Sequence, residues 1–181
     1  MHVISRDSPC YYLTSVSVHR LPVFRTDEIK VVTCKALDEA RNSGGFAFYA
    51  YAIMPDHFHV VSDSTRSSAD TLRFMNGIVS RRVIDYLKEY GHERSLKKLR
   101  HETRERSYRY SLFDHHPNVR LLMTEKMVME RVRYTHQNPV RAGLVERAEN
   151  YLWSSVRCWN GKMHEDEPLM INLDRIKLRA S

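Results

Sequence analysis

Apolar positions along the chain switch repeatedly between a period of two and a period near 3.6, and the switches predict the elements. Tyr11 to Val18 (YYLTSVSV) is rich in β-branched and aromatic residues and predicts a strand. Leu21-Pro22-Val23-Phe24 follows as a crossing segment. Thr26 or Asp27 can cap a helix running to about Asn42, with Ile29, Val32, Ala36, Leu37 and Ala40 at helical spacing, and Ser43-Gly44-Gly45 stops it. Phe46 to Met54 (FAFYAYAIM) is apolar at every position, which predicts a central strand. Pro55-Asp56 is a turn signal, and His57 to Ser62 (HFHVVS) is the returning strand of a hairpin. Ser67, Ser68 or Asp70 can open a second helix, whose Leu72, Met75, Val79, Val83, Ile84 and Leu87 keep the 3.6 period to about Tyr90 before Gly91. Tyr108 to Phe113 predicts a short strand. Thr124 caps a third helix carrying Met127, Val128, Val132 and Tyr134, expected to reorganise at Pro139, because the residue before proline avoids the helical region.

The order strand, helix, strand, strand, helix, strand, helix predicts an α+β sandwich of the split βαβ, ferredoxin-like kind. It is an antiparallel sheet with helices packed on it, on one face. The 181 residues, 42% hydrophobic and 28% charged, suit one globular domain with a core that needs no covalent staples. Residues 1–160 are read as that domain and 161–181 as a C-terminal tail of mixed charge. There is no internal repeat or low-complexity tract.

Charge and cysteine usage narrow the function. Lys and Arg number 29 against 22 Asp and Glu, a net +7, which biases partners toward polyanions. Much of the excess lies between Arg94 and Arg109, where seven basic residues meet two acids; this is expected to be an exposed segment. Cys10, Cys34 and Cys158 are odd in number and include no CxxC pair, as expected of reduced thiols in a cytoplasmic protein. The longest uncharged apolar run has nine residues against the ~20 that span a bilayer. The opening residues MHVISRDSP lack a signal-peptide core. No membrane association is expected.

Two constellations can carry chemistry. His57 and His59 sit two apart in a strand, so both imidazoles project to one face while Phe58 and Val60 go to the other. Such a pair can chelate a divalent metal, although with ten histidines in the chain a chance pairing of surface histidines is also expected. A histidine-triad hydrolase would continue the alternation, but position 61 is Val. A two-histidine phosphoesterase would need His-x-Thr/Ser twice, and neither histidine has it. The second constellation is Tyr134-Thr-His-Gln-Asn138-Pro139-Val-Arg-Ala-Gly143. Tyr134 and Asn138, four apart, share a helix face. A phenol, an amide and a metal can together cleave a phosphodiester. By themselves, Tyr134 also reads as a half-buried aromatic, and Asn138 as the cap of a short turn that Gly143 ends.

Met54-Pro-Asp-His57-Phe-His59-Val-Val61, followed by Tyr134-Thr-His-Gln-Asn-Pro-Val-Arg-Ala-Gly-Leu-Val145 and Tyr151-Leu-Trp-Ser-Ser155, closely resembles the single-tyrosine HUH transposases, in particular the REP-associated tyrosine transposase branch. The likeness runs from about Tyr11 to Trp159. It implies that His57, His59 and Asn138 hold a Mg²⁺ or Mn²⁺ ion and that Tyr134 is the nucleophile. It further implies a ferredoxin-like sandwich with the histidines on a central strand and the tyrosine on a helix. The implied reaction is cleavage and rejoining of single-stranded DNA through a 5′-phosphotyrosine, beside a hairpin, by a monomer or a homodimer. With no carboxylate in the set, affinity for Mg²⁺ is expected to be modest. Asp56 stands where the family more usually has Asn, expected to be a minor change in the turn. Ser111-Leu112-Phe113 lacks the Trp-Gln pair many relatives carry. A non-catalytic alternative is a domesticated protein that binds hairpin nucleic acid without cutting, which would need none of the four residues.

Overall fold

The period-two segments pair into a four-stranded sheet, and the helical segments close over it on both sides. The structure, a computed structural model, describes residues 2–4, 9–102, 108–114 and 118–177. Its elements are β1 (His2–Val3), β2 (Cys10–Val16), α1 (Asp27–Gly44), β3 (Phe48–Ile53), β4 (His57–Ser62), α2 (Ser68–Glu89), α3 (Glu93–Leu99), β5 (Arg100–Glu102), β6 (Tyr108–Tyr110), β7 (Asn118–Leu122), α4 (Glu125–Arg141), α5 (Val156–Trp159) and β8 (Ile176–Lys177). The main sheet has the order β3-β4-β2-β7, antiparallel throughout, so each helical crossover leaps one strand. This is the split βαβ arrangement expected from the sequence.

Strand alternation sends one set of side chains to each face. Leu13, Tyr51, Ile53, Phe58 and Val60 form the larger core with Ile29, Leu37 and Ala40 of α1 and Met75, Val79 and Leu87 of α2. Cys10, Tyr12, Tyr49, Ala50 and Val61 pack on the other face with Val128 and Val132 of α4. The helices therefore cover both faces, where the element order alone placed them on one. Helix ends follow local chemistry: Ser67 Oγ accepts from Asp70 N, Thr124 Oγ1 accepts from Met127 N, and Gly45 closes α1 in the left-handed region at φ 72°.

Four further expectations differ from the structure. The fourth strand of the sheet is β7, while Tyr108–Tyr110 pairs instead with Arg100–Glu102 in a separate ribbon. β7 (NVRLL) is an edge strand with only Leu122 buried, so its alternation gives little signal. The run from Arg94 is not simply an exposed segment, because Leu96 and Leu99 of α3 are buried against the α1/α2 core; residues 103–107 of the run lie outside the described residues. Helix α4 continues through Pro139 to Arg141. The proline removes one backbone donor near the helix end, and bonds from Ala142 N to Asn138 O and Leu144 N to Pro139 O carry the chain past it.

The uniformly apolar β3 is not central but an edge strand, buried because other segments seal it. Ser155 N donates to Tyr51 O, and Tyr51 N donates to Ser155 Oγ at 2.9 Å. Ile53 N donates to Trp153 O, Tyr151 Oη to Ile53 O, and Trp159 Nε1 to Tyr49 O. Asn172 takes both backbone groups of Phe48. A sheet edge paired in this way offers no free ladder to another chain. Ser155 Oγ also meets His136 Nε2 of α4 at 2.9 Å, joining the helix to the edge. Burial lowers the pKa of His136 to about 4, so the ring is neutral near pH 7. Among the described residues no helix is long and apolar enough to cross a membrane.

Ser155→Ala strands Tyr51 N and His136 Nε2, and is expected to cost about 1–3 kcal/mol for each buried group left unpaired. Urea unfolding measures this, and a loss below about 0.5 kcal/mol, the size of an ordinary surface change, would contradict the role given to Ser155.

Candidate active site

β4 starts directly after the Pro55-Asp56 turn, where Met54 N donates to His57 O, so His57 and His59 emerge at the rigid mouth of the hairpin. Pairing of β4 with β2 sets Thr14 opposite His59 and Val16 opposite His57. His59 is 5% exposed and stacks on Tyr12 with ring centroids 5.3 Å apart. Its Nδ1 lies 2.8 Å from Tyr12 Oη and 2.9 Å from Thr14 Oγ1. His57 Nδ1 lies 2.6 Å from Asp56 Oδ1, whose Oδ2 accepts from Arg20 Nη1 at 3.0 Å. Arg20 and His19 both adopt left-handed φ values of 52° and 53°, uncommon for side-chain-bearing residues.

These contacts orient both rings. The two Nε2 atoms lie 3.1 Å apart, and in the tautomer with each Nδ1 proton directed at its oxygen partner both present a lone pair to a common ligand. Two nitrogens bound about 2.1 Å from one octahedral cation would stand about 3 Å apart, so the pair has the spacing and outer-shell support of a chelate. Burial, then the charge of His57, lowers the His59 pKa to about 3, against an opposing pull from Asp56. His59 is therefore a neutral donor near pH 7. Burial raises the pKa of Asp56, but the hydrogen bonds and charges of His57 and Arg20 outweigh it, and the carboxyl sits below its ordinary range.

Val128 and Val132 bury one side of α4 and turn Tyr134 and Asn138 toward the histidines. The Tyr134 ring stands edge-on to His59 and to Tyr12, with centroids 6.1 Å from each. Asn138 Nδ2 donates to Tyr134 O at 2.8 Å, leaving its Oδ1 as the free acceptor. A cavity of about 390 Å³ is lined by all four of His57, His59, Tyr134 and Asn138, together with Tyr12, Thr14, Val16, Arg20, Asn118, Arg120 and Arg131. A cleft of similar volume, about 400 Å³, lies between β2, α2 and residues 110–114; it contains none of the four, and two of its lining side chains, Ser15 and Asn76, bond to each other. The histidine cavity is the better candidate for chemistry because a phenol, two imidazoles, an amide and guanidiniums meet there. Among the described residues no cluster of three or more His, Cys, Asp or Glu could hold a metal, so a cation here would rest on two imidazoles and an amide.

Sequence reasoning missed Tyr12, Thr14, Arg20, Arg120 and Arg131, and took Asp56 for a minor change in the turn. The carboxylate of Asp56 in fact holds His57 and Arg20 together. Its position next to His57 was the available signal. Nothing local marks Tyr12 and Thr14, whose role depends on register.

No protein-family model and no curated protein sequence matches the chain. Solved structures do match. A REP-associated tyrosine transposase bound to a REP hairpin superposes with a TM-score of 0.61 at 14% identity, over 87% of this chain and 83% of that one. The fold is that of a REP-associated tyrosine transposase. It is also the fold that the motif resemblance implied. A protein of Deinococcus radiodurans R1 provisionally assigned as a transposase matches with a TM-score of 0.47 at 20% identity, over 69% of this chain and 86% of that one.

In metal-free protein, His59 is expected to stay neutral between about pH 8 and pH 5, because burial delays its protonation to lower pH. Ring ¹⁵N shifts measure this. An imidazolium signal from His59 near pH 6 would overturn the reading of its environment.

Proposed function

We propose that the chain is an HUH single-tyrosine transposase of the REP-associated kind, which cuts and rejoins single-stranded DNA beside a hairpin. One observation carries the reading: Tyr134, His57, His59 and Asn138, separated by up to 81 positions in the sequence, line one cavity. The solved relative with the same fold is bound to a REP hairpin, which supports the same class of DNA for this chain.

In this mechanism Tyr134 Oη attacks a DNA phosphorus, forming a P–O bond as the bond to the 3′ oxygen breaks. The phenol proton is lost to solvent and the departing 3′ oxygen takes one up. The products are a 5′-phosphotyrosine and a free 3′-hydroxyl, and attack by a 3′-hydroxyl on the same phosphorus reverses the step without ATP. Arg131 and Arg120 line the cavity and supply positive charge for the phosphate oxygens. His57, His59 and Asn138 would hold a Mg²⁺ or Mn²⁺ ion, which when bound neutralises charge on the phosphate. Tyr12, Thr14 and Asp56 keep the two imidazoles aimed.

Purified protein incubated with Mn²⁺ and hairpin-bearing single-stranded oligonucleotides is expected to yield DNA-linked protein on denaturing gels. The adduct should vanish in Tyr134→Phe and fall at least about 100-fold in His57→Ala. Binding of hairpins without any adduct, across several flanking sequences, would favour a domesticated binding protein instead. Tyr12→Phe, which removes one support of His59, is expected to weaken Mn²⁺ binding about 10–100-fold by calorimetry. Unchanged Mn²⁺ affinity in both Tyr12→Phe and His57→Ala would remove these residues from the metal site.

A further inference from the structure

Tyr134 stands between two cavities. Besides the histidine cavity, a second one of about 270 Å³ is lined by Glu130, Arg131, Arg133, Tyr134, Gln137 and Arg141. Among the described residues the two share only Tyr134 and Arg131, and neither histidine reaches the second. The guanidinium carbons of Arg131 and Arg141 lie 5.4 and 5.0 Å from the centroid of the Tyr134 ring.

The charge on this outer cavity is only partly compensated. Arg20, Arg41, Arg73, Arg82, Arg147 and Arg157 are each paired with a carboxylate. Among the described residues, Arg131, Arg133 and Arg141 have no such partner, and one acid, Glu130, faces the three. Three guanidiniums lining one cavity repel each other unless an anion lies between them. Arginine forks match phosphate oxygens in geometry as well as charge. Among the described residues Tyr134 is the cavity's only aromatic side chain, so its chemistry suits backbone phosphate rather than bases.

We propose that the outer cavity is a phosphate site for single-stranded DNA, seating the backbone next to the phosphate that Tyr134 attacks. The choice of DNA rests on the function proposed above. The strand then contacts the protein on both sides of the tyrosine, and both ends stay in place once the phosphodiester is cut.

The test uses the full chain with Tyr134→Phe and EDTA, so that neither covalent chemistry nor metal contributes. A labelled oligothymidylate without a hairpin is titrated by anisotropy between about 50 and 200 mM salt. Adding Arg133→Gln and Arg141→Gln is expected to lower affinity about tenfold at the low-salt end. It should also make the slope of log K against log salt shallower by about 1.4, the value for two lost single-strand phosphate contacts. A control, Arg25→Gln with Lys35→Gln, removes the same charge from exposed positions on the α1 side of the sheet and should change both far less. Unchanged binding in the Arg133/Arg141 variant, or an equal loss in the control, would overturn the site. The outcome is separate from that of the adduct assay: absence of an adduct sinks the transposase reading and leaves this measurement standing.

Discussion

The antiparallel register of β2 on β4 is the constraint on which the site depends. It places Thr14 opposite His59 and, one pleat along, brings Tyr12 into stacking contact with the same ring. Side chains alternate faces along a strand, so a slip of one residue would turn the histidines from α4 into the α1/α2 core and send Phe58 and Val60 the other way. The two cores guard against that slip. Phe58 and Val60 are fully buried on one face, and Val61 is fully buried on the other. The packing that makes the sheet stable thus also makes the imidazole pair stiff.

Helix α4 supplies the other half of the site, and burial again decides its orientation. Val128 and Val132 insert beneath the sheet, and His136 reaches Ser155 at the sealed edge of β3. With the helix held at both places, Tyr134 and Asn138 come to the histidine cavity as a consequence of the 3.6-residue repeat. Pro139 does not break this arrangement, because it falls where α4 has almost ended. Edge sealing of β3, the seating of α4 and the presentation of the tyrosine are linked through one serine.

The electrostatics follow from the same geometry. The sheet buries His59 deeply enough to keep it neutral, while the loop before α1 brings Arg20 to Asp56 and so fixes His57. Around these nitrogen donors lie the guanidiniums of Arg120 and Arg131, whereas Arg20, Arg82 and Arg157 are each paired with a carboxylate. A polyanion entering the cavity meets positive charge at the rim and aimed nitrogen donors beneath it.

Much of this was legible in the sequence. The βαββα order up to the second helix, Ser67 among the residues offered as its cap, the cap at Thr124 and the hairpin at Pro55-Asp56 follow from local chemistry, and the pairs His57/His59 and Tyr134/Asn138 from spacings of two or four residues set by the geometry of a single strand or helix. The errors came where a residue's state depends on a distant segment. Phe46 to Met54 reads as a central strand because every position is buried, and only the seal by residues 151–172 reveals an edge. β7 has too little buried surface to announce itself. Tyr12 and Thr14 look like ordinary strand residues until register sets them beside His59, and Arg131 looks like a solvated charge until α4 docks. Local periodicity determined which side chains share a face; tertiary packing alone decided which faces meet, because pairing register and helix docking are set by the joint burial of residues far apart in the chain.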